Sequence, residues 1–175
     1  MMENLRLAGL DEVQIGRLMD AGYDTAPASK GHHLAYAGGL AEHSVNVTRW
    51  IVKLSGDMGL VWQRSESPYI VGMLHDVCKI LNYRRDEFCT CQDRWEWVPS
   101  WIPGHGAASA VYAMSVLGIQ LTPQEAAAII WHMGAFCLDK TGLQSLDEAM
   151  RTYAREIICT HAADMMASQV TEAGK

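Results

Sequence analysis

Residues Tyr69, Ile70, Val71, Met73 and Leu74 make one short stretch apolar on most sides, and it runs straight into His75 and Asp76. A helix that is apolar all round belongs in the middle of a fold. This stretch therefore carries an imidazole and a carboxylate toward the interior, where such groups need a partner, a hydrogen bond or a metal. Asp164 poses the same problem, because its neighbours are Ala162, Ala163, Met165 and Met166.

Around that stretch the periodicity is helical. Leu7, Leu10, Val13, Ile15 and Leu18 predict an N-terminal helix over residues 4–21, with Gly22 as its stop. A loop with Pro27, Ser29, Gly31 and the pair His32-His33 leads to Gly38-Gly39. Leu40, Val47, Ile51 and Leu54 then predict a helix over 40–54, ended by Ser55-Gly56-Asp57. The central apolar stretch predicts a helix over 68–75. Further helices are expected over 106–117, over 123–132 and over 153–170, with a short extra turn at 145–148. Thr122 and Glu125 supply a capping box for the helix over 123–132. Residues 88–98 differ: Phe88, Thr90, Trp95 and Trp97 around Gln92-Asp93-Arg94 predict two short strands and a turn.

The expectation is an all-α class: a compact helical bundle with one small hairpin at about residues 87–98. With no repeat, linker or low-complexity tract, residues 1–175 read as a single domain. Residues 1–25 pack on it as an N-terminal helix, and 84–103 form a hairpin or lid insertion.

Composition narrows the function. Of 175 residues, 49% are hydrophobic and 19% charged, as in a soluble globular protein. No uncharged apolar run reaches the roughly 18 residues of a membrane span. Met1 to Arg6 lacks the basic-then-apolar pattern of a secretion signal, so a cytoplasmic location is expected. The five cysteines, Cys78, Cys89, Cys91, Cys137 and Cys159, suit reduced thiols better than a disulfide framework. A formal charge of −6 disfavours a long nucleic acid as partner. It leaves room for a small phosphorylated substrate, a nucleotide among the candidates, and it leaves a homo-oligomer open.

The chain has seven histidines, and most lie within or at the ends of apolar helices. His43 sits in the first core helix, and His75 with Asp76 ends the next. His105 opens the helix over 106–117, His132 closes the one over 123–132, and His161 lies one turn before Asp164 on one face. Any one histidine alone reads as a satisfied core or cap residue. Together with Asp76 and Asp164, a single metal centre accounts for them at once.

The segments Gly38-Gly39-Leu40-Ala41-Glu42-His43-Ser44, Gly72-Met73-Leu74-His75-Asp76-Val77-Cys78-Lys79 and Ile158-Cys159-Thr160-His161-Ala162-Ala163-Asp164 resemble the HD superfamily of metal-dependent phosphohydrolases. They occur in that family's order, and the resemblance covers about residues 27–168. It implies that His43, His75, Asp76 and Asp164 bind one metal. In the six-ligand branch His105 and His132 add a second, with Asp76 bridging. Two divalent ions (Fe, Mn, Ni, Co, Zn or Mg) are favoured over one, and the ligand set suits transition ions better than Ca.

The resemblance further implies hydrolysis of a phosphomonoester or phosphodiester through metal-bound hydroxide, with Asp76, Lys79 and His105 as catalytic residues. Lys79 either binds phosphate or complements a helix end. Lys79, Arg84, Arg94, Trp97 and His161 are the expected substrate contacts. The tryptophans either stack on a base or pack the hairpin, and His161 faces substrate, supports a ligand or packs in the core. Glu42 orients a ligand or caps a helix. The His33 region resembles a segment of the 3′–5′ exoribonuclease branch, and the Gly-Tyr-Pro signature of the cyclic-dinucleotide branch is absent. Two other functions stand beside this one: a di-iron oxygenase of the same fold shares the ligand pattern, while the full ligand set argues against a nucleotide-binding module without turnover, which need not retain a metal-hydroxide site.

Overall fold

The computed structural model describes residues 1–85, 95–136 and 138–174. It is mostly helical, with a two-stranded antiparallel sheet, as the periodicity requires. In chain order the helices are α1 (Met2–Leu7), α2 (Glu12–Asp20), α3 (Gly39–Asp57), α4 (Ser67–Leu74), α5 (Lys79–Asn82), α6 (His105–Ser115), α7 (Pro123–Ile130) and α8 (Lys140–Met166). Strands β1 (Tyr83–Arg85) and β2 (Trp95–Trp97) lie between α5 and α6, and a π-helical turn, Ala167–Thr171, continues α8.

Helix α4 is the centre. Ser67 and every residue from Ile70 to Leu74 are buried. Its Ile70 and Leu74 join Leu5, Ile15, Leu18, Leu40 and Tyr112 in one apolar cluster, while its Val71 joins Val47, Ile51, Ile129 and Ala163 in a second. Burying one such aliphatic side chain contributes about 1.5–3 kcal/mol. The backbones come close here. A β-carbon on Gly72 would stand 2.3 Å from Thr48 Oγ1 and 2.6 Å from Thr48 Cα, so α3 and α4 can touch only over a glycine.

Glu125, fully buried, ties α4 to α7. As the third residue of α7 it accepts the Thr122 N–H at 2.8 Å, closing the capping box expected there. It also accepts Arg64 Nε at 2.8 Å, Arg64 Nη2 at 2.7 Å and Ser67 Oγ at 2.7 Å. Both helices thus start at one carboxylate.

Three expectations change. The helix over 4–21 is two helices, because Gly9 adopts φ +76 and Asp11 opens α2 with its own capping box to Gln14. The last helix begins at Lys140, capped by Asp139, and absorbs the turn at 145–148. Tyr153, its expected start, is the one non-helical residue inside it (φ −119, ψ 26). The first strand is Tyr83–Arg85, upstream of the expected start at Phe88, and pairs Tyr83 with Trp97, Arg84 with Glu96 and Arg85 with Trp95. The strand and turn expected over 88–94 lie outside the described residues, as do Arg94, Cys89, Cys91 and Cys137. Among the described residues no helix is long and apolar enough to cross a membrane.

Candidate metal centre

The ends of α4, α7 and α8 and the starts of α3 and α6 converge on Asp76. His75 follows the last residue of α4, and its Nδ1–H donates to the Gly72 carbonyl at 3.0 Å. His132, just past α7, repeats the device with the Ile129 carbonyl at 2.7 Å. A carbonyl only accepts, so Nδ1 of each ring holds its proton and Nε2 is left to face inward. Helix C-termini also favour a cation. His43 is oriented by charge: its Nδ1 lies 3.1 and 3.0 Å from the two oxygens of Glu172.

The inward atoms crowd together. His75 Nε2 is 3.4 Å from Asp76 Oδ2, and His132 Nε2 is 3.5 Å from Asp76 Oδ1. His105 Nε2 is 3.6 Å from Asp76 Oδ1 and 3.2 Å from His132 Nε2. His43 Nε2 stands 3.1 Å from Asp164 Oδ1 and 3.9 Å from Asp76 Oδ2. Yet His43 Nε2, His75 Nε2 and Asp76 Oδ1 are buried and make no well-formed hydrogen bond. Orphaned polar atoms in a core carry a cost of roughly 1–3 kcal/mol each. A divalent cation removes that cost for all of them, and N/O donors of this type suit it. Two overlapping groups have the spacing to hold an ion: His43, His75 and Asp164, and His75, Asp76 and His132.

Protonation favours ligation at Asp76, Asp164, His75 and His105, whereas the carboxylates around His43 and His132 favour a proton there that a cation has to displace. Burial would raise both carboxyls, but Lys79 and His75 hold Asp76 well below the usual range, and His43 holds Asp164 down likewise. Burial lowers His75, and it lowers His105 to about 4, so both present neutral rings. Burial pulls His43 down too, but Asp164 and Glu172 lift it to about 9; Asp76 similarly raises His132. Lys79 Nζ donates to Asp76 Oδ2 at 2.7 Å and to the Ala28 carbonyl at 2.6 Å. Burial opposes its charge, and Asp76 more than restores it.

The structure therefore brings together His43, His75, Asp76, Lys79, His105, His132 and Asp164. His161 stands behind them, its Nδ1–H donating to the His132 carbonyl at 2.7 Å. Arg84 and Trp97 are exposed on the hairpin. Trp97 meets Tyr83 edge to face at 5.2 Å, and the Tyr83 hydroxyl feels the charges of Lys79 and Asp76. Glu42 accepts the Tyr36 hydroxyl at 2.6 Å.

Two members escaped the sequence reading. Glu172 is almost fully buried, accepts Asn46 Nδ2 at 2.9 Å and reaches His43 through the π-helical turn. No periodicity signals it, since it lies beyond the last apolar run. His33 lies 3.8 Å from Glu172 Oε2, its ring 4.9 Å from that of His43, and these three residues form a third group with metal-ligand spacing. Its pair with His32 was a visible signal.

No family model matches the chain. No solved structure matches it. Among curated proteins, the dihydroneopterin 2′,3′-cyclic phosphate phosphodiesterase of Methanocaldococcus jannaschii is 37% identical over 67 residues. The match takes in 37% of this chain and 27% of that protein, so the chain is similar to a minor part of a phosphodiesterase.

Proposed function

We propose that the chain is a metal-dependent phosphohydrolase of the HD type, acting on the phosphoester of a nucleotide or another small phosphorylated molecule. The observation that carries this is the convergence of four imidazole Nε2 atoms and two carboxylates on one buried point, with three of the atoms lacking a well-formed hydrogen bond. The partial likeness to a cyclic phosphate phosphodiesterase supports the same chemistry.

On this reading His43, His75, Asp76 and Asp164 would hold one divalent ion, and His105 and His132, together with Asp76, would hold a second. When bound, the ions supply an activated water and neutralise phosphate oxygens. The remaining work falls to the chain. Glu172, Gly72 and Ile129 keep three rings turned so that Nε2 faces inward. Lys79, fixed by Asp76 and Ala28, keeps its cation beside the point where charge builds on phosphate. His105 has the most exposed side chain of the cluster and meets the substrate side.

Metal analysis of the purified protein, then a panel of phosphomonoesters and cyclic phosphodiesters with each ion restored, tests this. Hydrolysis that disappears in Asp76→Ala together with bound metal is expected. Full activity and metal content in that variant overturns the proposal, as does oxygen uptake in place of hydrolysis.

A further inference from the structure

A cavity of about 680 Å³ opens beside His105, between the start of α6 and the loop joining α7 to α8. That volume is within the range of small-molecule sites, about 300–1,000 Å³. Its wall and the metal centre share His105, and Trp131 and Met133 in its lining flank His132. Phe136 lines it while leaving 68% of its surface open, and Trp131 is half-buried. Aromatic faces left accessible beside a site serve for stacking another ring.

Asp139 sets the polarity. Its Oδ1 accepts the Gly142 N–H at 2.7 Å, capping α8, while Oδ2 has no hydrogen bond among the described residues. An ionised carboxylate only accepts, so it prefers ring edges bearing N–H and NH₂ over edges bearing carbonyls. The same charge repels a phosphate. A phosphoester with its ring toward Asp139 would keep its phosphate away from that charge, on the side of the cavity wall shared with His105.

We propose that this cavity is the ring subsite, taking a flat heteroaromatic ring with an N–H donor edge. The proposal rests on the phosphohydrolase reading for its orientation, but its ring recognition is testable without turnover. The probe is guanosine, which has the ring and donor edge but no phosphate, with ribose as its ring-free counterpart. In equilibrium dialysis guanosine binds and ribose does not. Phe136→Ala weakens guanosine binding about tenfold or more, the range for loss of one stacking partner. Asp139→Asn, which keeps the α8 cap, also weakens it by about tenfold, with circular dichroism unchanged. Both variants binding guanosine like the wild type, or no guanosine binding at all, overturns the subsite. Phosphoester hydrolysis without guanosine binding rejects the subsite alone. Guanosine binding that both variants weaken, without hydrolysis of any phosphoester, supports the subsite and rejects the phosphohydrolase reading alone.

Discussion

Lys79 Nζ lies 2.7 Å from Asp76 Oδ2 and 2.6 Å from the carbonyl of Ala28, fifty-one residues away in the chain. Two of its three protons are committed, and among the described residues the third has no acceptor, which leaves it for an anion on the proposed reading. Lys79→Ala should reduce kcat about 10²-fold or more, the scale for removing one preorganised charge donor. Lys79→Arg should not restore it, since a planar fork cannot reproduce a compact ammonium held from two sides. Metal content measured alongside kcat separates a lost phosphate contact from a lost ligand.

Glu172 controls His43 from behind. Glu172→Ala should weaken metal binding about 10- to 100-fold, as loss of a ligand-orienting carboxylate does. Glu172→Gln keeps an acceptor for Nδ1–H without the charge, so a smaller loss is expected. Chelator competition measures both, and equal affinity in wild type and Glu172→Ala refutes the role.

Gly72→Ala should destabilise the fold by about 1–3 kcal/mol, the usual cost of overpacking a tight contact. Adding Thr48→Ala removes the hydroxyl 2.3 Å from the new methyl but not the Cα at 2.6 Å. Rescue by the double variant should be partial, as read by denaturant midpoints.

Glu125 gives stability a pH dependence. Burial would raise its carboxyl, but Arg64, Ser67 and Thr122 hold it below the usual 4.5. A folded value below the unfolded one means the stabilisation is fully present above about 4.5 and is lost as pH falls through the folded value. Glu125→Gln should cost about 1–3 kcal/mol at neutral pH, the price of a broken buried network. Its melting temperature should then fall less than that of the wild type on acidification.

How much of this was legible in the sequence depends on range. The central helix, the Thr122–Glu125 cap and the ionisable residues in apolar company were readable because each is local. The break at Gly9 was local too, but the apolar spacing of Leu7, Leu10 and Val13 ran across it and masked the Asp11 cap. Glu172 was not readable at all. Its place depends on the wider turn of residues 167–171 and on a partner 129 positions earlier. The Arg64–Glu125 bridge is likewise a contact across 61 positions that no spacing rule reaches.

That bridge has a consequence for how the chain can vary in length. Helices α4 and α7 are each eight residues long, both start at the Glu125 carboxylate, and each delivers a histidine just past its end. They are two rulers read from one zero mark. Inserting or deleting a single residue in either would move its histidine about 1.5 Å along the axis and about 100° around it, turning Nε2 away from Asp76. Insertions and deletions are therefore barred from these two segments, and variation in length is left to stretches outside them.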